Sequence, residues 1–265
     1  MSMLRVLKEA VMYTTFDLPD RSMKRRLWLL TVCLSFAVGS VATAASPAAK
    51  EHVFDAKPLG MRVSIKMVGP YGEPADLQII CLFRHKEDGD TYQGAAKDTD
   101  EHLSGILSAL RNRGEFVGEL GETILFTPPK GSIPAKRFMV IGLGEEKDLS
   151  IDSLRVVGRV AAREAVRLRA KHVAWAPVIR DEGNSTIDVG EGDRTFVEQM
   201  ILAYDTERRF QAQGLEPSFA IESLVIEAGP TYFDGAVERV GDGISTATTE
   251  LGRRDRAPYA ATVSK

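Results

Sequence analysis

Only two cysteines and four histidines occur in the 265 residues. Cys33 falls within an apolar N-terminal run and Cys81 within the strand-like Leu77-Gln78-Ile79-Ile80-Cys81-Leu82-Phe83, so a disulfide framework is excluded. Cys81 has no Cys-x-x-Cys partner and no adjacent basic residue to lower its pKa, and is expected to be a small buried core residue. His52, His85, His102 and His172 show neither His-x-x-x-His nor His-x-His spacing, so no metal site is expected and each reads as a surface or capping residue. A Gly-x-Ser-x-Gly elbow, a Cys with a plausible His partner and a Lys in an apolar pocket are all missing. No catalytic residue and no cofactor are therefore expected. Internal repeats and low-complexity tracts are also missing.

A long apolar run is missing too. Leu27 to Val41 is too short for a stable membrane span, but it follows Met23-Lys24-Arg25-Arg26 and ends in Ala42-Thr43-Ala44. A positive start, an apolar middle and an Ala-x-Ala exit form a secretory signal over residues 23–44, cleaved after Ala44, with residues 1–22 an upstream stretch. The alternative is a buried core helix, but no polar residue recurs at helical spacing to give it a solvent face. Leu30-Thr31-Val32-Cys33 is a poor lipoprotein box because Val32 is bulky. The expectation is export to the periplasm or beyond, with no membrane contact after cleavage.

Residues 1–44 hold six Lys/Arg and three Asp/Glu, which leaves 28 basic against 34 acidic residues in the mature chain. No basic stripe remains to gather phosphates, which excludes a nucleic-acid partner on electrostatic grounds.

After a leader at residues 45–59, Met61 to Val68 alternates apolar and polar side chains as a half-buried strand does. Asp76 to Phe83 is a near-continuous apolar strand suited to a sheet centre with both faces covered. Leu103, Ile106, Leu107 and Leu110 mark one short amphipathic helix ended by Gly114, with Asp98, Asp100 and Glu101 just ahead of it. Those carboxylates read as N-terminal caps, or as a weak divalent-ion site, although their spacing is not that of a calcium loop. Glu122 to Phe126 and Arg137 to Gly142 predict antiparallel neighbours across a Pro-Pro-Lys-Gly turn. A helix begins behind Ser150, with Asp152 in its first turn. His172 to Val178 is a strand, 180–193 a loop, Thr195 to Gln213 a long helix and Phe219 to Ala228 the last strand. The fold class is α/β: a single domain at 60–229, a mixed sheet flanked by helices. Tyr232 to Glu250 is helix-like and leads to a frayed tail.

Gly118-Glu119-Leu120-Gly121-Glu122-Thr123, then Arg137-Phe138-Met139-Val140-Ile141-Gly142-Leu143-Gly144-Glu145-Glu146, then Leu154-Arg155 and Ala161-Ala162-Arg163 resemble the N-terminal domain of the leucyl (cytosol) aminopeptidases. Ala203-Tyr204-Asp205 and Arg254-Asp255 with Pro258 extend the likeness over residues 60–258. The resemblance implies a macro-domain-like fold that supports assembly and sits apart from a two-metal peptidase site. It also implies that 230–265 is a remnant of the linker helix to a catalytic domain not represented in these residues, so that no catalytic residue carries over.

Gly142-Leu143-Gly144 lies between a strand and a helix, where backbone amides can face a phosphate. Gly142 and Gly144 are the candidate ligand-facing positions. Against this stand the missing third glycine of a dinucleotide fingerprint and the negative charge of Glu145, Glu146 and Asp148, which favour a plain tight turn. The leading expectation is an exported, non-catalytic binding or assembly module whose partner is a protein, either itself or an aminopeptidase-like chain. The alternatives are an accessory part of a metal-dependent aminopeptidase and a macro-like binder of ADP-ribose or nucleotide.

Overall fold

The computed structural model describes residues 49–259; the signal expected at 23–44 and the stretch before it lie outside the described residues. Seven strands form one sheet in the order β1-β2-β7-β6-β3-β5-β4. They are β1 (Glu51–Val53), β2 (Arg62–Lys66), β3 (Leu77–Leu82), β4 (Thr123–Phe126), β5 (Phe138–Gly142), β6 (His172–Ala176) and β7 (Ser223–Glu227). The five inner strands are parallel, and β1 and β4 close the edges antiparallel to β2 and β5. The expected pairing of β4 with β5 is therefore present, with Leu125 opposite Met139.

Every residue of β3 and β5 is buried, as continuous apolar runs at a sheet centre require. Ile79, Cys81, Met139 and Ile141 face α3 (Ile151–Arg167), α4 (Val189–Ala212) and α5 (Phe233–Arg253). Ile80, Leu82, Phe138 and Val140 face α1 (Gly94–His102) and α2 (Ile106–Asn112). The expected mixed sheet between helices is observed, and Cys81 is fully buried. Ser150 caps α3 reciprocally with Ser153, and Leu154, Val157, Ala161 and Ala165 form its buried stripe. The three long helices approach closely at two glycines: a methyl group on Gly158 would lie 2.7 Å from the Phe196 carbonyl, and one on Gly243 2.6 Å from that of Arg194.

Three expectations need correction. The single helix around Leu103 is two, because Ser104 and Gly105 adopt positive φ and break it. α1 escaped notice because it buries only Ala96, Thr99 and Asp100, too little apolar surface for a periodic signal. The 180–193 loop contains a short 3-10 helix (Val178–Glu182) and the first turn of α4, where Asp188 accepts from the Glu191 amide as the N-cap. The 45–59 leader holds β1; the helix expected over Tyr232 to Glu250 is present as α5, which buries Phe233, Ala236, Val240, Ile244 and Ala247 in the main core.

Candidate functional site

β2, β7, β6, β3 and β5 all end at one edge of the sheet. From β3 the chain turns to the face carrying α1, and from β6 to the face carrying α4. A ligand crevice forms where neighbouring strands part in this way.

The Gly142 and Gly144 turn lies at this edge but offers nothing to a ligand. The Gly142 amide donates to Glu122 O, Leu143 to Leu82 O and Gly144 to Gly118 O, at 2.8, 2.9 and 2.9 Å. A methyl on Gly142 would lie 2.0 Å from the Glu119 carbonyl, so glycine serves the close passage of the 118–122 segment. Gly144, at φ +77°, makes a tight turn. These two candidate positions thus have their amides paired within the chain, the geometry of the plain tight turn. The reason differs from the one expected: Glu145 and Glu146 are offset by Arg84 and Lys86 at 3.0 and 2.8 Å, whereas the amides are already taken.

The amides most open to an anion are filled by the chain's own carboxylates. Glu182 accepts from the Phe83 amide at the end of β3 (3.1 Å). Asp181 accepts from the Ala96 amide at the start of α1 (3.1 Å). Glu122 gathers the amides of Val117, Gly118 and Glu119 at 3.2, 2.7 and 2.9 Å. Burial pushes the Glu182 carboxyl up to about 8, against the opposing pull of the Phe83 amide and the Arg111 charge, and burial likewise raises Asp181. Beside them Arg111 grips Asp90 through Nε and Nη2 at 2.7 and 3.0 Å, and His85 Nδ1 adds a contact at 2.8 Å. Burial alone would raise Asp90, but the bonds from Arg111 and His85 outweigh it and hold the carboxyl below its ordinary value.

Between the ends of β2, β7 and β6 an open cleft of about 580 Å³ remains, within the size range of small-molecule sites. Its walls are the segment Met67 to Tyr71, the start of α1 with Asp98, the β6 exit with Val178, Arg180 and Asp181, and the β7 exit from Glu227 to Tyr232. Glu227 is only 5 % exposed. Its Oε2 accepts from Gln78 Nε2 at 2.7 Å, while its Oε1 and the Gln78 Oε1 have no partner among the described residues. Burial pushes this carboxyl up to about 8, the Gln78 bond opposing. Sequence reading missed Glu227; its one signal was an acid ending the apolar run Leu224-Val225-Ile226.

The expected acidic group does not converge. Asp100 is spent on the Leu107 and Ser108 amides, capping α2 from within α1, Glu101 faces Lys97 at 3.6 Å, and Asp98 lines the cleft. Capping is thus seen for Asp100 ahead of α2, while all three residues also lie within α1. The histidines are dispersed, with His102 stacked on Tyr71 and His172 bonded to Ser223. Among the described residues no three His, Cys, Asp or Glu side chains are grouped to hold a metal ion, so the two metals implied by the resemblance find no fitting ligands there. No helix among these residues is long and apolar enough to cross a membrane.

The profile of the cytosol aminopeptidase family, N-terminal domain, matches residues 79–212, half of the chain. The chain belongs to this family. A probable cytosol aminopeptidase of Thermosynechococcus vestitus is 31% identical over 176 residues, covering 65% of this chain and 34% of that protein. One from Alkaliphilus oremlandii is 37% identical over 95 residues, covering 36% and 19%. The chain thus spans between a fifth and a third of these cytosol aminopeptidases. In fold it is similar to a mutant of tomato leucine aminopeptidase (TM-score 0.50, 21% identity, 78% of this chain and 38% of that one). It is also similar to an Oceanobacillus iheyensis macrodomain with ADP (TM-score 0.54, 8% identity, 75% and 98%). The macro-like fold expected from the resemblance is present.

Proposed function

We propose that this cytosol aminopeptidase N-terminal domain is a non-catalytic binding and assembly module, exported to the periplasm or the cell exterior, that acts through its surface. The observation that carries the reading is the open edge of β4. Thr123-Ile124-Leu125-Phe126 has no charge and no proline, its outer side is unpaired among the described residues, and Leu125 and nearby Leu120 are 36 % and 46 % exposed. Such an edge is a template for pairing with another chain. Light scattering after size exclusion tests this: an oligomer that Leu125→Lys dissociates supports assembly, and a monomer at all concentrations refutes it. Export rests on the three-part signal pattern ending at Ala44. N-terminal sequencing of envelope material should return a chain starting near Ala45, and an intact Met1 or Met23 would refute export.

A second reading, an accessory part of a metal-dependent aminopeptidase, is supported by the names of its relatives. Turnover needs a metal-activated water and several converging ligands. The 265 residues alone should not hydrolyse leucine p-nitroanilide with manganese or zinc. Metal-dependent, saturable turnover that survives repurification would overturn the non-catalytic reading.

A third, nucleotide binding, draws on the macrodomain with ADP. Against it, Asp181, Glu182 and Glu122 already occupy the Ala96, Phe83 and Gly118 amides at this end of the sheet with negative charge. Calorimetry with ADP-ribose should show no saturable heat.

A further inference from the structure

We propose that the cleft between the ends of β2, β6 and β7 binds a primary ammonium carried on a compact apolar body, with Glu227 as the recognising carboxylate. This adds a small-molecule site to the surface role above and does not depend on it.

The cleft of about 580 Å³ is large enough for a small organic ligand, and its walls are largely apolar, including Met67, Val68, Val178 and Pro230. Glu227 lines it, is 95 % buried, and keeps one carboxylate oxygen without a partner. A buried polar atom left unpaired is costly, and few native groups are so left without a reason. The same walls carry Asp98 and Asp181, against the single cation Arg180. Arg180 forms no ion pair with them among the described residues; its Nη2 donates to the Ile187 carbonyl at 3.1 Å. The cleft therefore gathers three carboxyl groups in apolar surroundings against one guanidinium. It disfavours phosphate, the more so because Asp181 already holds the Ala96 amide at the start of α1.

An ammonium supplies what is missing. It donates to the free oxygen of Glu227 and offsets the charge of the neighbouring acids. Tyr71 is held by its stack on His102, with ring centroids 4.3 Å apart, and Tyr232 is exposed at the rim. Both aromatic faces favour a cation on an apolar body over an anion. Burial holds a proton on Glu227 while the cleft is empty. A bound cation favours its release, so the carboxylate meets the ligand charged.

The test is calorimetry on the full chain at pH 8 with 2-phenylethylammonium as probe and 2-phenylethanol as its neutral isostere. The expected result is saturable binding of the ammonium with a preference over the alcohol of about 30-fold, the order expected for a buried charge pair. Glu227→Gln should abolish that preference. Pro230→Trp, at an exposed position on the wall, should block both probes and serves as the second variant if Glu227→Gln does not fold. No saturable heat, equal affinity for the two probes, or an ammonium preference retained in folded Glu227→Gln would each overturn the proposal.

Discussion

Replacing Arg111 by Met removes the cation that ties the loop after β3 to α2. Arg111 is 1 % exposed and its partner Asp90 has a side-chain exposure of 9 %. The variant loses both bonds to Asp90, at 2.7 and 3.0 Å, and leaves the acid with His85 Nδ1, the Lys86 amide and a long contact from the Tyr92 hydroxyl at 3.5 Å. Removing one partner of a buried pair costs about 3–5 kcal/mol, and the remaining contacts place this case near 3 kcal/mol. For a domain of this size that lowers Tm by about 6–12 °C. Urea denaturation followed by circular dichroism, with calorimetry for Tm, measures it. Asp90→Asn in the same chain should restore part of the loss, because the stranded charge is then gone. The pH dependence has a definite sign. The folded-state pKa of Asp90 lies below its ordinary 3.8, so its contribution is present above that pH and is lost as pH falls through the folded value. The gap between wild type and Arg111→Met should therefore shrink in acid. A loss under about 1 kcal/mol, or a double variant no more stable than Arg111→Met, would refute the assignment of a buried, charge-dependent tether.

Gly142→Ala should cost about 3 kcal/mol, since the new methyl meets the Glu119 backbone; Gly131→Ala, at φ +81° with open space around it, should cost only about 1–2 kcal/mol, and equal losses in urea melts would refute the close-passage argument. Asp193 is fully buried, and burial pushes its carboxyl up to about 8 against the opposing pull of the Trp175 indole, so the folded chain holds its proton more tightly than the unfolded one and stability falls as pH rises from about 4 toward 8. Asp193→Asn should flatten that decline in urea midpoints taken between pH 5 and 8, and an unchanged slope would count against it. Cys81, wholly buried with its thiol pKa pushed up by burial, should label with maleimide only as fast as the chain unfolds globally. Fast labelling of folded protein would place it elsewhere.

Sequence alone was enough for several features that depend on near neighbours along the chain. The unbroken apolar runs of β3 and β5 mark central strands because only a strand covered on both faces tolerates them. Ser150, Asp152 and the stripe from Leu154 to Ala165 specify α3 through caps and periodicity that close within one helix. The turn between β4 and β5 likewise announced their antiparallel pairing. Tertiary structure decided the rest, because the deciding partners are remote. α1 is capped by Asp181, 85 residues from Ala96; the Phe83 amide is taken by Glu182, 99 residues away; and Glu227 meets Gln78 across 149 residues. A glycine turn reads the same whether its amides face solvent, a phosphate or the protein's own backbone. Only the folded sheet, by bringing the 118–122 segment against Gly142 and Gly144, consumed those amides and left the open cleft at the ends of β2, β6 and β7.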